Sequence, residues 1–134
     1  MSFLHKIARH KFVYKVGLLK VLLVLVLFTS CKQLNDCSRL PMDFATYQDA
    51  IESVKSARFK ISETADATSS SWIGHAAYYS CDGSAGYFIV ETEGREYIHE
   101  GVPRDVWNDF KNSESLGSYY NQKIKGRYKM GLKH

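Results

Sequence analysis

Apolar and polar positions follow three rhythms along this chain. Residues 21–28, VLLVLVLF, are apolar without a break. Phe44, Tyr47, Ile51 and Val54 recur at i, i+3, i+7 and i+10, the spacing of one helical face. Asp43 is placed to cap that helix, and Thr46 to Asp49 form a weak capping-box variant just inside it. The pattern predicts the helix end near Ala57. Beyond it the period drops to two. Residues 58–62 alternate as a strand, 64–71 (TADATSSS) read as a loop, and 72–80 are aromatic and strand-favouring. CDGSAG, residues 81–86, is a turn, and 87–92 form a strand. Glu93-Gly94 makes a tight hairpin turn, and 95–100 return as the last strand.

Gly101-Val102-Pro103 closes the sheet, and Pro103 suits the first position of a helix. Val106, Trp107 and Phe110 give that helix an apolar face. Leu116, Tyr120 and Ile124, spaced by four, predict a final helix. Gly117 at its start is read as letting two helices approach closely. The expected class is α+β: an antiparallel meander of three to four strands, with an N-terminal helix and two C-terminal helices packed on it.

The uninterrupted run is too short to span a bilayer, which needs about 20 apolar residues. Five basic residues precede it (Lys6, Arg9, Lys11, Lys15, Lys20), so residues 1–30 have the layout of an export signal. The run ends in Leu27-Phe28-Thr29-Ser30-Cys31, which resembles the lipobox of bacterial lipoproteins. That resemblance implies cleavage before Cys31, acylation of Cys31, and membrane anchoring through its acyl chains. Lys32 stands where the inner-membrane retention Asp would be, which favours the outer membrane. The expected divisions are a signal (1–30), a tether (31–42), a helix and strand extension (43–69), the main domain (70–130) and a tail (131–134).

Charge changes meaning once the leader is set apart. The formal net charge of +4 becomes −1 without its five basic residues, so basicity is no argument for nucleic-acid binding. From residue 115 onward there are Lys123, Lys125, Arg127, Lys129 and Lys133 and no acidic residue. That stretch reads either as a solvated helix end or as a contact surface for an anionic ligand. With Cys31 lipidated, Cys37 and Cys81 remain, either bridged in an oxidising compartment or as two free thiols. No CxxC or HxxxH spacing occurs, so no metal site is expected, and no motif asks for a cofactor.

Trp72-Ile73, Ala77-Tyr78-Tyr79, residues 87–90, Tyr97-Ile98-His99, Gly101-Val102-Pro103, residues 115–121, Ile124 and Tyr128 together resemble the KTSC domain. That small module is named for its place at the C-terminus of some lysyl-tRNA synthetases. The resemblance covers residues 70–130 and departs at His99, where the central Tyr-x-Tyr motif has its second Tyr. The family has no settled activity. RNA binding is suggested for it, and an exported lipoprotein would meet little RNA.

Tyr97 and His99, two apart on a strand, share a face. With Tyr78 or Tyr79 they are either a stacking platform for a ring-shaped ligand or ordinary core. Residues 115–118, with Lys123 and Arg127, are a candidate anion cradle, and Asn121 a candidate for satisfying backbone groups at that corner. Candidate binding residues are therefore Tyr97, His99, Tyr119, Asn121, Lys123 and Arg127. No catalytic residue is expected. A small hydrolase using His75 or His99, oriented by Asp82, is the enzymatic alternative and needs a cleft holding both histidines. The leading expectation is a non-enzymatic, envelope-anchored lipoprotein whose partner is an unknown envelope protein or an anionic ligand. RNA binding is the second alternative.

Overall fold

Thr46, rather than Asp43, opens the first helix. In this computed structural model, which describes residues 36–133, Thr46 Oγ1 accepts a hydrogen bond from the Asp49 amide at 3.1 Å. Helix α1 then runs Tyr47–Ser56. The leader and Cys31 lie outside the described residues. Phe44 is buried, but outside the helix: it pairs with Leu132 in an isolated parallel bridge. The inward face of α1 is Ala50, Ile51 and Val54, and Tyr47 is 55% exposed. The predicted stripe was therefore right in its second half only.

Four antiparallel strands follow in meander order: β1 (Ile61–Ala65), β2 (Ile73–Ser80), β3 (Ala85–Thr92) and β4 (Arg95–Pro103). The first strand begins later than its alternation suggested and takes in Thr64 and Ala65, which pair with Ala77 and Ala76. Glu93 and Gly94 both take positive φ (52° and 73°), as a two-residue hairpin turn with the twist of its strands requires. Pro103 closes β4 and is the N-cap of α2 (Arg104–Lys111). The last helix is not uniform. A single turn, α3 (Leu116–Tyr119), passes directly into a π-helical turn, Tyr120–Ile124, where the Lys125 amide reaches the Tyr120 carbonyl at 2.9 Å. Regular i, i+4 spacing could not reveal that extra residue per turn.

The sheet is covered on both faces, as its unbroken apolar segment Tyr87–Val90 demands. Tyr78, Phe88, Val90 and Val102 pack against Trp107, Phe110, Leu116, Tyr120 and Ile124 of the C-terminal helices. On the other face Ile89 and Ile98 pack with Ala50, Ile51 and Val54 of α1, and with Phe44 and Met130. Met130 is on that second face because the chain, after the π turn, passes beside edge strand β4. Phe44 and residues 131–133 then exchange backbone hydrogen bonds on the α1 side.

Two polar groups pin the periphery. Glu63 of β1 accepts from Trp107 Nε1 and Lys111 Nζ, both at 2.9 Å, and pairs with Arg104. These donors hold its carboxyl well below the usual range, at about 2, with the Trp107 hydrogen bond the largest cause. Just past the C-terminal end of β2, Cys37 and Cys81 stand at disulfide distance, with Cα atoms 6.0 Å apart and a sequence separation of 44. Cys81 is exposed. Among the described residues no helix is long and apolar enough to cross a membrane.

Candidate functional site

Three neighbouring cavities meet at Tyr97, on the open edge of the sheet. The first, about 360 Å³, lies between β4 and the segment after the π turn, with Ile98, His99, Tyr128 and Met130 in its walls. The second, about 340 Å³, is lined by Trp72, Glu93, Tyr97, His99, Tyr120 and Lys125. The third, about 520 Å³ and shallower, runs over Gln48, Arg95 and Glu96. Tyr97 lines all three and is 44% exposed. Its ring is on the same face of β4 as His99, because residues two apart on a strand point the same way.

His99 is the buried post behind it. Phe88, its cross-strand partner, stands 6.0 Å away between ring centroids. Nδ1 lies 2.8 Å from the Tyr128 carbonyl, and Nε2 lies 3.1 Å from the Tyr120 hydroxyl. A carbonyl only accepts, so Nδ1 carries the proton. Nε2 then accepts from the Tyr120 O–H. Burial lowers the His99 pKa below its ordinary value, which keeps the ring neutral and this arrangement intact. Burial, and secondarily Tyr97, raises that of the Tyr120 phenol, so it stays a donor. His99 thereby ties the edge strand both to the π turn and to the chain leaving it.

Of the other expected site residues, Tyr119 is half-buried against Phe110 and lines none of these three cavities. Asn121, Lys123 and Arg127 are exposed on and after the π turn, where the Arg127 Nε donates to the Gln122 carbonyl. The basic side chains at the cavities are instead Lys125, Lys129 and Arg95. The platform with Tyr78 or Tyr79 does not form. Tyr78 is fully buried and stacked on Trp107, and Tyr79 packs with Phe59 in the other core.

The anion cradle at 115–118 does not form either. Ser115 Oγ caps its own one-turn helix by accepting from the Ser118 amide, and Glu114 lines the small cavity there. Gly117 serves a different approach from the one expected. A Cβ there would lie 2.3 Å from Trp72 Nε1, so the glycine admits the indole rather than a second helix. His75 is exposed, and its neighbour Ala76 is in the core that contains His99's partner Phe88; the two histidines therefore project from opposite faces of the sheet. No cleft holds both, as the hydrolase alternative needed. Asp82 is occupied at the β2–β3 turn, where the Ser84 amide and hydroxyl hold its carboxyl at about 2. Among the described residues no three of His, Cys, Asp and Glu gather as a metal site.

Sequence reasoning missed Trp72, Glu93, Tyr120 and Lys125 as site residues. Glu93 and Trp72 could have been suspected, since a hairpin turn and a strand start at one end of a meander are neighbours. Nothing in the spacing marks Tyr120 or Lys125, because the π turn places them.

An α+β meander with helices on both faces and an aromatic cavity at its free edge defines the class. Within it, residues 89–128, from β3 to the segment after the π turn, match the model of the KTSC domain. Trp72 and Tyr78 lie outside the matched residues, although the resemblance began with them. Neither a curated protein nor a solved structure matches the chain.

Proposed function

We propose that this chain is an envelope-anchored bacterial lipoprotein whose KTSC domain works by binding a ligand at the Tyr97–His99 edge, not by catalysis. The observation that carries the binding site is the meeting of three cavities on a half-exposed tyrosine, backed by a neutral, fully hydrogen-bonded histidine. A rigid aromatic wall with both charge signs at its rim is what a recognition site offers. Export is supported by the cysteines. Cys37 and Cys81 stand at disulfide distance, which suits an oxidising compartment and leaves Cys31, at the end of the apolar run, for the lipid. The missing Asp after Cys31 favours the outer membrane.

Two measurements test the two halves. The intact mass of protein from a membrane fraction should equal residues 31–134 plus acyl groups, with two alkylations appearing only after reduction. A mass that begins at Met1 with free thiols refutes export and returns the RNA-binding alternative to first place. For the site, the ¹⁵N-labelled full chain in detergent is titrated with solubilised envelope extract. Amide shifts concentrated at 95–99 and 125–130 are expected; shifts only elsewhere, or none, refute the site.

A further inference from the structure

We infer that the cavity between Trp72, Tyr97 and Tyr120 takes a zwitterionic headgroup of the phosphocholine type, its quaternary ammonium against the rings and its phosphate at Lys125. This names the ligand class of the site proposed above and rests on that reading. Three observations select this chemistry. The first is ring geometry. Trp72 and Tyr120 meet at 62° with centroids 6.0 Å apart, and His99 meets Tyr120 at 66° and 5.5 Å. Tyr120 and His99 are buried, so these two rings form the base of the cavity, and the accessible aromatic walls are Trp72 and Tyr97. A flat heterocycle needs parallel faces, whereas a near-spherical ammonium is held by faces that converge from several directions.

The second observation is charge. Glu93 lines the cavity beside the rings and Lys125 lines it as well. A carboxylate next to aromatic faces favours a cation and repels a plain anion such as a nucleotide phosphate. The lysine then supplies a separate place for the negative end of the same ligand. The third is construction. The floor is fixed by the Tyr120–His99–Tyr128 hydrogen bonds, and Trp72 is seated over Gly117 where no other residue would fit. The cavity, about 340 Å³, has room for a headgroup.

The test uses the full chain in dodecyl maltoside, a detergent without choline, with calorimetry and tryptophan fluorescence. Trp107 is fully buried, so a ligand-induced change in emission reports Trp72. Choline and phosphocholine should both bind, phosphocholine more tightly, and inorganic phosphate should not. Tyr97→Leu and Glu93→Gln should weaken both by about tenfold. Lys125→Gln should weaken phosphocholine alone and erase its advantage over choline. All three positions are exposed, so the variants keep the fold. Pelleting with phosphatidylcholine vesicles in excess of that with phosphatidylglycerol vesicles, the excess being lost in Tyr97→Leu, would identify the source as a lipid surface; binding of soluble phosphocholine without that excess would identify a free or glycan-borne group. Either supports the inference. Adenosine monophosphate binding more tightly than phosphocholine overturns it in favour of a planar ring. Loss of all these ligands, with extract-induced shifts at 95–99 retained, overturns the ligand class and leaves the site standing. Loss of both overturns the site as well.

Discussion

Replacing Glu63 with glutamine should make the stability of this domain nearly indifferent to pH in a window where the wild type is sensitive. Glu63 joins β1 to α2 through three donors, the Trp107 indole, Arg104 and Lys111. Its carboxyl falls from 4.5 to about 2 in the folded chain. Unscreened, a fall of that size corresponds to roughly 3.4 kcal/mol. A third of the side chain is in water, and screening reduces the contribution to about 1.5 kcal/mol. A depressed pKa fixes the sign: the contribution is complete above pH 4.5 and is lost as pH falls toward 2. Glu63→Gln keeps an oxygen for the Trp107 N–H but no charge for the two cations. Urea unfolding, followed by tryptophan emission at pH 7, 4.5 and 2.5, should show the variant less stable by about 1.5 kcal/mol at pH 7. The difference should shrink to about a quarter of that value by pH 2.5. Asp82 titrates in the same range in both proteins and cancels in the difference. A difference that stays constant from pH 7 to 2.5 refutes the electrostatic account.

Further outcomes follow from the same structure. Gly117→Ala forces a methyl onto the Trp72 indole and should cost about 1–3 kcal/mol in chemical unfolding, with a shift in Trp72 emission. Opening the Cys37–Cys81 pair, by reduction or as the double serine variant, should cost about 4 kcal/mol, the chain-entropy value for a loop of that length. An unchanged denaturation midpoint would mean the bridge does not close. Burial lowers the His99 pKa, so its contribution is present above about pH 6.5 and lost as pH falls below it. His99→Phe should flatten stability between pH 7 and 5, and should cost about 1–3 kcal/mol at pH 7 by orphaning the Tyr128 carbonyl and the Tyr120 hydroxyl.

What could be read in the sequence was what local chemistry decides. Glu93-Gly94 had to be a hairpin turn, Pro103 had to stand at a strand-to-helix junction, and the period-two stretches had to be strands in a meander. Tyr97 and His99 were recognisable as a pair because strand geometry aligns them. Misreadings arose where a neighbour distant in sequence decides. Phe44 has helical spacing to Ile51, yet Leu132 draws it into a bridge. Gly117 looked like a helix–helix contact until Trp72 filled the space beside it. Glu63 gave no signal, because the three donors that define it are 41 to 48 positions away. Tyr120 and Lys125 reach the cavity only through a π turn, whose extra residue per turn leaves no mark on an apolar pattern.

The position of Cys81 also sets how far the domain can stray. In the lipidated form proposed here, only residues 32–36 separate the acylated Cys31 from the bridged Cys37. Fully extended, they span about 17 Å. The bridge transfers that leash to the β2–β3 turn, while Trp72 and Glu93 sit at the far end of β2, an eight-residue strand about 26 Å long. In that proposed form one pole of the domain would be moored near the bilayer while the other would swing on a radius set mainly by the sheet. The cavity would then sweep a thin shell beside the membrane, and a ligand tethered within that shell would be met at high local concentration.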